Sequence, residues 1–281
     1  MSVVLTEMKD LGSATSSSST KLFHGGLRYL EFFEFRLVKE ALEEREVLLK
    51  AMPHISWPMR FILPLNKYQR FESNTPASKL INKIFPFYKN RRPAWLIRVG
   101  LFLYDLMGGR KILPPTKKLD LSVSLEGVPL KKKFRKAFEY SDCWIEDSRL
   151  VVLNAKDAAK LGAKIYVNTK VISAKKDDRL WCIETKDQTT GKREVFLSKV
   201  LINAGGPWVS DIIHNVLRVN TPEKVRLVRG SHIVVPKIWD HGKCYFFQGN
   251  DGRIIFAIPY ETDFTLIGTT DIDHIELDLS L

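Results

Sequence analysis

Cysteine, acidic residues and long apolar runs are all scarce in this chain, and each shortage excludes something. Its three cysteines, Cys143, Cys182 and Cys244, stand far apart, with no paired spacing. That argues against a disulfide framework or a zinc site and suits a reducing compartment. No stretch reaches the ~18 uninterrupted apolar residues of a membrane-crossing helix. The nearest, 95–107, is broken by Arg98 and Asp105, so it is able to lie on a membrane but not to cross one. The N-terminus carries Glu7 early and has no basic-then-apolar pattern, which excludes a secretory signal. There is no internal repeat, and the one low-complexity run is the Ser/Thr cluster at 15–20. Against 44 Lys+Arg stand only 32 Asp+Glu, a net charge of +12. Such an excess favours anionic partners: phosphorylated metabolites, an anionic membrane surface or nucleic acid. No nucleic-acid-binding motif accompanies the charge, so no nucleic-acid partner is expected. Clusters such as Lys131-Lys132-Lys133 and Lys175-Lys176 read as solvated faces.

What is present suits a globular protein. With 44% hydrophobic residues in 281, the chain is able to bury a sizeable core, and the length suggests two domains. Residues 2–7 read as a short buried strand ending in Glu7. Leu27, Leu30, Phe35, Val38, Leu42, Val47 and Leu49 are spaced as one helical face and predict a long amphipathic helix over 27–50, stopped by Pro53. The region 53–115 is rich in Pro, aromatic and basic residues. A strand is expected in it at 57–65, an insertion-like loop at 67–90 and a helix at 94–107. Partial alternation at 138–145 reads as a strand, and Asp147 or Ser148 as the cap of a helix reaching about 161. Strand-like runs at 164–167, 171–175, 180–186 and 194–197 read as a meander. A continuously apolar strand at 200–203 then breaks into Ala204-Gly205-Gly206. A helix is expected over 207–217, with Pro207 in the first turn, where its missing N–H has no intrahelical partner. Further strands are expected at 225–235, 244–248, 253–259 and 264–268.

Four clusters have the chemistry of a site. His24-Gly25-Gly26-Leu27-Arg28-Tyr29-Leu30-Glu31 follows the Ser/Thr cluster directly. If a helix begins near Gly25, His24 and Arg28 share a face, and an imidazole able to take a proton sits beside a guanidinium able to hold a phosphate or carboxylate. Equally, a His before Gly-Gly is a capping or turn residue. Asn203-Ala204-Gly205-Gly206 lets backbone approach a flat or phosphorylated ligand, or simply makes a strand-to-helix turn. Arg226, Arg229, His232 and Arg253 beside apolar strands are ligand contacts or solvated strand ends. Gly268-Thr269-Thr270-Asp271 offers hydroxyls to a cofactor or is a plain turn.

These clusters, with Ala14-Thr15-Ser16-Ser17, Lys21, Phe138-Glu139-Tyr140-Ser141-Asp142-Cys143-Trp144, Pro207-Trp208 and Gly230-Ser231-His232-Ile233-Val234-Val235-Pro236, occur in one order and spacing. In that order the chain resembles the FAD-dependent, quinone-linked glycerol-3-phosphate dehydrogenases over nearly its whole length. The resemblance implies a mixed α/β fold. An FAD-binding Rossmann-like domain of the glutathione-reductase/amino-acid-oxidase type would occupy 1–51 and 138–218, and an antiparallel-sheet substrate domain 52–137 and 219–281. It implies FAD as cofactor, with Glu7 on the adenosine ribose, Thr15, Ser16, Ser17, Lys21, Leu22 and Gly25 lining the pyrophosphate and flavin, and Val171 by the adenine. Ala204, Gly205 and Trp208 would continue the cleft, with Gly268 and Thr269 near the isoalloxazine. His24 is implied as the base that takes the substrate hydroxyl proton, and Arg28 and Arg253, with Tyr29 close by, as the groups that hold the phosphate of glycerol 3-phosphate. No metal is implied. A membrane quinone would accept the electrons, and the enzyme would sit peripherally on the cytoplasmic face of the inner membrane, docked through residues such as 91–98, as a homodimer.

Two departures qualify the resemblance. In dinucleotide-binding folds a G-x-G-x-x-G turn lies about 20 residues before the acidic residue that binds the ribose. The chain has no such turn ahead of Glu7, and it stops at Leu281, before the family's later flavin-contacting segment. A fragment with an unpaired strand edge and weak or absent FAD binding is therefore expected. Two alternatives stay open: an inactive remnant or non-catalytic binding protein, and a glycerol-3-phosphate oxidase that uses oxygen.

Overall fold

A computed structural model describes residues 2–66, 75–88, 93–109, 112–222, 225–249 and 253–274. In chain order the elements are β1 (Val4–Thr6), β2 (Leu22–Phe23), α1 (Phe35–Ala51), β3 (Ser56–Leu65), α2 (Pro76–Ile84), α3 (Ala94–Met107), β4 (Lys117–Asp120), β5 (Lys136–Ile145) and α4 (Asp147–Lys160). Then come β6 (Lys164–Tyr166), β7 (Thr169–Asp177), β8 (Leu180–Asp187), β9 (Arg193–Ser198), β10 (Leu227–Arg229), β11 (His232–Pro236), β12 (Cys244–Gln248), β13 (Ile254–Tyr260), β14 (Phe264–Gly268) and β15 (Ile272–His274). They form two compact units. The first comprises Met1–Ser19, Glu146–Arg229 and Ile272–Leu281, and the second Thr20–Ile145 and Gly230–Asp271. These seams differ from the expected boundaries at 51, 137 and 218. Both α1 and β5 belong to the second unit, because β5 pairs along its whole length with β3.

The second unit is built on a mainly antiparallel sheet of eight strands among the described residues, in the order β11-β14-β13-β12-β3-β5-β2, with β4 on the end of β5. Only β12 and β3 run parallel within it. Residues opposite each other on paired strands point to one side. One face thus presents Phe61, Tyr140, Phe246 and Ile258, which pack with Val38 and Leu42 of α1 and Leu101 and Tyr104 of α3. The other face presents Ile62, Ala137, Tyr245 and Ala257 around Trp239 and Leu121. Helix α1 is amphipathic as expected. Val38, Leu42, Arg45, Glu46 and Leu49 face inward, while Arg36 and Glu40 form an exposed pair at 2.7 Å. Its start is later than expected: 27–32 is a 3-10 turn (Leu27–Phe32) closed by Phe33 in the left-handed region at φ 62°. Apolar spacing does not separate these arrangements, since Leu27 and Leu30 reach the same core as Val38 and Leu42 from either one.

The interval 67–90 is not simply a loop. Thr75 caps α2 by accepting the Ser78 N–H at 3.2 Å, with Pro76 at the first position; residues 67–74 and 89–90 lie outside the described residues. The expected docking interval 91–98 begins with two residues outside them. From residue 93 it leads into α3, whose Trp95, Val99, Phe102 and Leu106 are exposed.

An ionic group fixes β5 on its other face. Glu139 accepts Arg60 Nε at 2.8 Å and pairs with Lys117 and Lys243 at 3.3 and 3.2 Å, and Lys243 also pairs with Glu126. Burial raises the Glu126 carboxyl, but the Lys243 ammonium and backbone hydrogen bonding outweigh it and bring the pKa down to about 2 from 4.5. A depressed carboxyl contributes its full stability above the unfolded pKa and loses it as the pH falls through the folded one. Glu126→Gln is thus expected to flatten the loss of unfolding free energy between about pH 4.5 and pH 2, read by urea unfolding. A variant as acid-sensitive as the parent would assign that loss to other groups.

In the first unit, β1 pairs with β6 in parallel, Leu5 opposite Ile165, with α4 preceding β6. The expected meander therefore loses its first member: β6 pairs with β1, and β7-β8-β9 form the antiparallel sheet. That sheet buries Ala174 and Ile183 against Val216, with Val171, Phe196 and Ile212 around them. Strand β1 is not buried as expected. Val3, Val4 and Leu5 are about 40% exposed, because β6 is the sole partner of β1 among the described residues. The apolar 200–203 run forms no strand, and Val200 and Ile202 stand exposed. The expected helix over 207–217 is broken into a 3-10 turn (Gly206–Trp208), a single α turn (Val209–Asp211) and a π turn (Ile212–Val216). The run expected at 225–235 divides into β10 and β11, separated at Gly230 and Ser231 and paired with different partners. The fold is mixed α/β with antiparallel sheets, as expected.

Candidate functional site

In the second unit β2 delivers His24 to the turn that precedes Leu27–Phe32. His24 and Tyr29 are exposed, Arg28 is partly so, and Gly25 and Gly26 beneath them are buried. His24 stands outside the helical turn, so it does not share a helix face with Arg28. What orders it is Gly26, whose φ of 66° suits glycine and whose N–H donates to His24 Nδ1 at 3.0 Å. The ring packs tilted against Phe256, centroids 6.4 Å apart.

Below this turn lies a polar group that sequence reasoning did not single out. Gly25 N–H donates to the Tyr104 hydroxyl at 2.7 Å, and that hydroxyl donates to Asp142 Oδ1 at 2.8 Å. Arg45 Nη1 donates to the same carboxylate oxygen at 2.7 Å and to the Ser141 carbonyl at 3.2 Å. All three side chains are at least 95% buried. Burial lifts the Asp142 carboxyl above its ordinary value, opposed by the charges of Arg45 and His24 and by the hydrogen bonds it accepts. Burial and the neighbouring Asp142 also push the Tyr104 hydroxyl well up, which keeps its proton available to the carboxylate. The signal in the sequence was polar residues within the otherwise apolar 138–145 strand.

Gly268 is buried in β14, directly opposite His232 on β11 and Phe256 on β13. A Cβ at this position would overlap the His232 ring, so the glycine lets that imidazole lie flat on the strand. His232 Nε2 is 3.0 Å from the Thr20 hydroxyl. Burial, with Lys21 adding, lowers its proton affinity and keeps the ring neutral near pH 7. His24 and His232 thus flank Phe256 on one face of the sheet. Arg253, exposed, immediately precedes β13. Lys21, at φ 58°, and Leu22, opposite Trp144, lead into the same turn. The Thr270 hydroxyl accepts the Ser231 N–H at 2.9 Å, and Thr269 bonds to the Thr270 carbonyl, so this turn is partly satisfied within the chain.

In the first unit, Glu7 follows β1 and accepts the Lys9 N–H at 3.0 Å. Thr15, Ser16 and Ser17 form a short 3-10 turn, with Thr15 and Ser16 exposed. Asp147 secures its end by accepting the Ser19 hydroxyl at 2.7 Å. Asn203 ties the glycine turn by donating to Val209 O at 3.0 Å and accepting Gly205 N–H at 3.2 Å. Ala204 is exposed, and Gly206 has φ 53° with open space where a Cβ would lie. Trp208 Nε1 is buried without a hydrogen-bond partner among the described residues. Val171 sits at the bulge of β7.

A family model described as FAD dependent oxidoreductase matches residues 1–280. The chain belongs to this family of FAD-dependent oxidoreductases. It is 52% identical over 274 residues to the D-erythritol 1-phosphate dehydrogenase of Brucella abortus, covering 98% of this chain and 50% of that protein. To the aerobic glycerol-3-phosphate dehydrogenase of Escherichia coli it is 43% identical with the same coverage. The solved glycerol-3-phosphate dehydrogenase of Bacillus halodurans, complexed with FAD, superposes with a TM-score of 0.64 at 25% identity, over 97% of this chain and 43% of that one. The chain spans about half the length of the curated relatives it matches. FAD is the family's cofactor, and the donors of the first unit fit it in kind. The Glu7 carboxylate, the exposed hydroxyls of Thr15 and Ser16 and Trp208 Nε1, buried without a hydrogen-bond partner among the described residues, are groups of the kind that bind a ribose and a pyrophosphate.

Proposed function

We propose that this chain contributes to FAD-dependent oxidation of a polyol phosphate, with glycerol 3-phosphate oxidised to dihydroxyacetone phosphate and the electrons passed to a membrane quinone. The observation that carries the reading is the turn that holds an exposed imidazole, His24, beside Arg28 and Tyr29 on a buried Gly25-Gly26 base. A dianionic phosphate calls for guanidinium groups, the role given to Arg28 and Arg253 with Tyr29 beside them. His24 is the side chain assigned to the hydroxyl being oxidised, and oriented transfer depends on positioning. Bound flavin would supply the hydride acceptor. Glu7, Thr15, Ser16, Ser17, Val171, Ala204, Gly205 and Trp208 of the first unit are the residues we assign to holding it.

The higher identity to a D-erythritol 1-phosphate dehydrogenase favours a second reading, a four-carbon polyol phosphate on the same residues. Peripheral membrane binding is supported by exposed Leu80, Ile84, Phe87, Trp95, Phe102 and Leu106 around α2 and α3. No helix among the described residues is long and apolar enough to cross a membrane.

The test is the visible spectrum of the purified chain with added FAD, before and after anaerobic addition of each polyol phosphate. A bound flavin band that bleaches supports the activity in this chain, and the faster substrate chooses between the two readings. Absence of bound flavin would make the chain an inactive piece. Peroxide formed without a quinone would favour an oxidase. Arg28→Ala is expected to lower kcat/KM by roughly 10- to 150-fold, mostly through KM, as the loss of one charge-assisted contact of about 1.5–3 kcal/mol requires. An unchanged kcat/KM would remove Arg28 from the phosphate site.

A further inference from the structure

We propose that Tyr104 and Asp142 are positioning residues for His24: they clamp the Gly25-Gly26 turn so that Gly26 N–H occupies His24 Nδ1 and Nε2 is the nitrogen left to face a ligand. This rests on the reading that places His24 at the substrate. The chain of contacts is continuous. Arg45 orients the Asp142 carboxylate at 2.7 Å, the Tyr104 hydroxyl donates to that carboxylate at 2.8 Å, and the Tyr104 oxygen accepts the Gly25 N–H at 2.7 Å. The next N–H along the chain, that of Gly26, then meets Nδ1 at 3.0 Å. Neither glycine tolerates a side chain here, since a Cβ on Gly25 would overlap Leu42 and one on Gly26 would overlap Tyr29. The turn is thus held by packing on one side and by a buried hydrogen-bonded chain on the other. A charge on His24 is also felt at Asp142.

The consequence is chemical. An Nδ1 that accepts a backbone N–H cannot carry a proton, so the neutral ring bears its proton on Nε2. The neutral ring presents a donor to a substrate oxygen, and proton uptake requires Gly26 to release Nδ1. Tyr104 and Asp142, about 80 and 118 positions along the chain from His24, therefore govern which of these states is populated.

The test reads the ring directly. The full chain is labelled with 15N-histidine, and His24 is identified among its six histidines by loss of its signals in His24→Gln. Two-bond 1H–15N correlations then report its tautomer with no flavin or substrate present. The expected result is a predominantly Nε2-protonated neutral ring in the parent and a mixed tautomer population in Tyr104→Phe, where Gly25 N–H has lost its acceptor. Asp142→Asn, which keeps the shape, is expected to shift the population in the same direction by a smaller amount. An Nδ1-protonated ring in the parent, or an unchanged ring in both variants, overturns the proposal. Because the tautomer is read without turnover, a chain that binds no flavin fails the functional reading while leaving this result interpretable.

Discussion

Arg45→Leu is expected to lower the unfolding free energy by about 3–5 kcal/mol, a large part of the roughly 5–15 kcal/mol that stabilises a typical domain. Leu at this position fills space on the inward face of α1 but removes the counter-charge from Asp142, which is 3% exposed. Among the described residues that carboxylate keeps only the Tyr104 hydroxyl as a side-chain donor, at 2.8 and 3.1 Å, and an uncompensated buried charge is the costly outcome. Replacing both partners with apolar residues is expected to recover most of the loss, because no charge is then stranded. Urea unfolding of the two single variants and the double variant measures the coupling. If Arg45→Leu alone costs less than about 1 kcal/mol, the pair does not hold this part of the sheet to α1.

Gly25→Ala is expected to destabilise the second unit strongly. The added carbon would overlap Leu42 Cδ2 and Cγ and lie 2.9 Å from Tyr104 Cε2. Leu42 is 0% exposed and sits mid-helix in α1, so it cannot swing aside without moving the helix. Overpacking of this kind costs about 1–3 kcal/mol, and displacing Gly25 N–H from the Tyr104 hydroxyl adds about 0.5–1.5 kcal/mol. Gly100 provides the contrast. It lies inside α3 with nothing within 4 Å of a Cβ and no positive φ, so Gly100→Ala is expected to stabilise by about 0.5–1 kcal/mol through helix propensity. Thermal midpoints of the two variants should move in opposite directions. A Gly25→Ala protein as stable as its parent would mean that the turn is free to shift.

Much of this architecture was legible where the pattern was local. The 57–65 strand, the 94–107 helix, the helix after Glu146 and the β7-β8-β9 hairpins all appear within a residue or two of their expected places. Their periodicity, turn residues and caps lie within a dozen positions of one another. What was not legible depended on distant partners. Nothing in Lys164, Ile165 and Tyr166 says that they pair with Val4, Leu5 and Thr6 rather than with their neighbour β7. The apolar 200–203 run has strand composition but no partner among the described residues. The 27–33 break turns on the left-handed Phe33, a backbone state that a phenylalanine does not advertise. In the candidate site, the glycines and the clustered His24, Arg28 and Tyr29 were visible because they are adjacent. Arg45, Tyr104 and Asp142 come from three separate elements and look individually like a helix charge, a core tyrosine and a strand polar residue.

The thiols of the large sheet have a bearing on durability. Cys143 and Cys244 are fully buried in β5 and β12. Burial, outweighing the nearby Arg45, pushes the Cys143 thiol up to about 12, and burial drives Cys244 well above its ordinary value. Oxidants such as peroxide react with the thiolate rather than the thiol. The buried thiols of the second unit are therefore poor targets for such oxidants. Among the cysteines, oxidation is directed instead to Cys182, half-buried in the β7-β8-β9 sheet of the other unit.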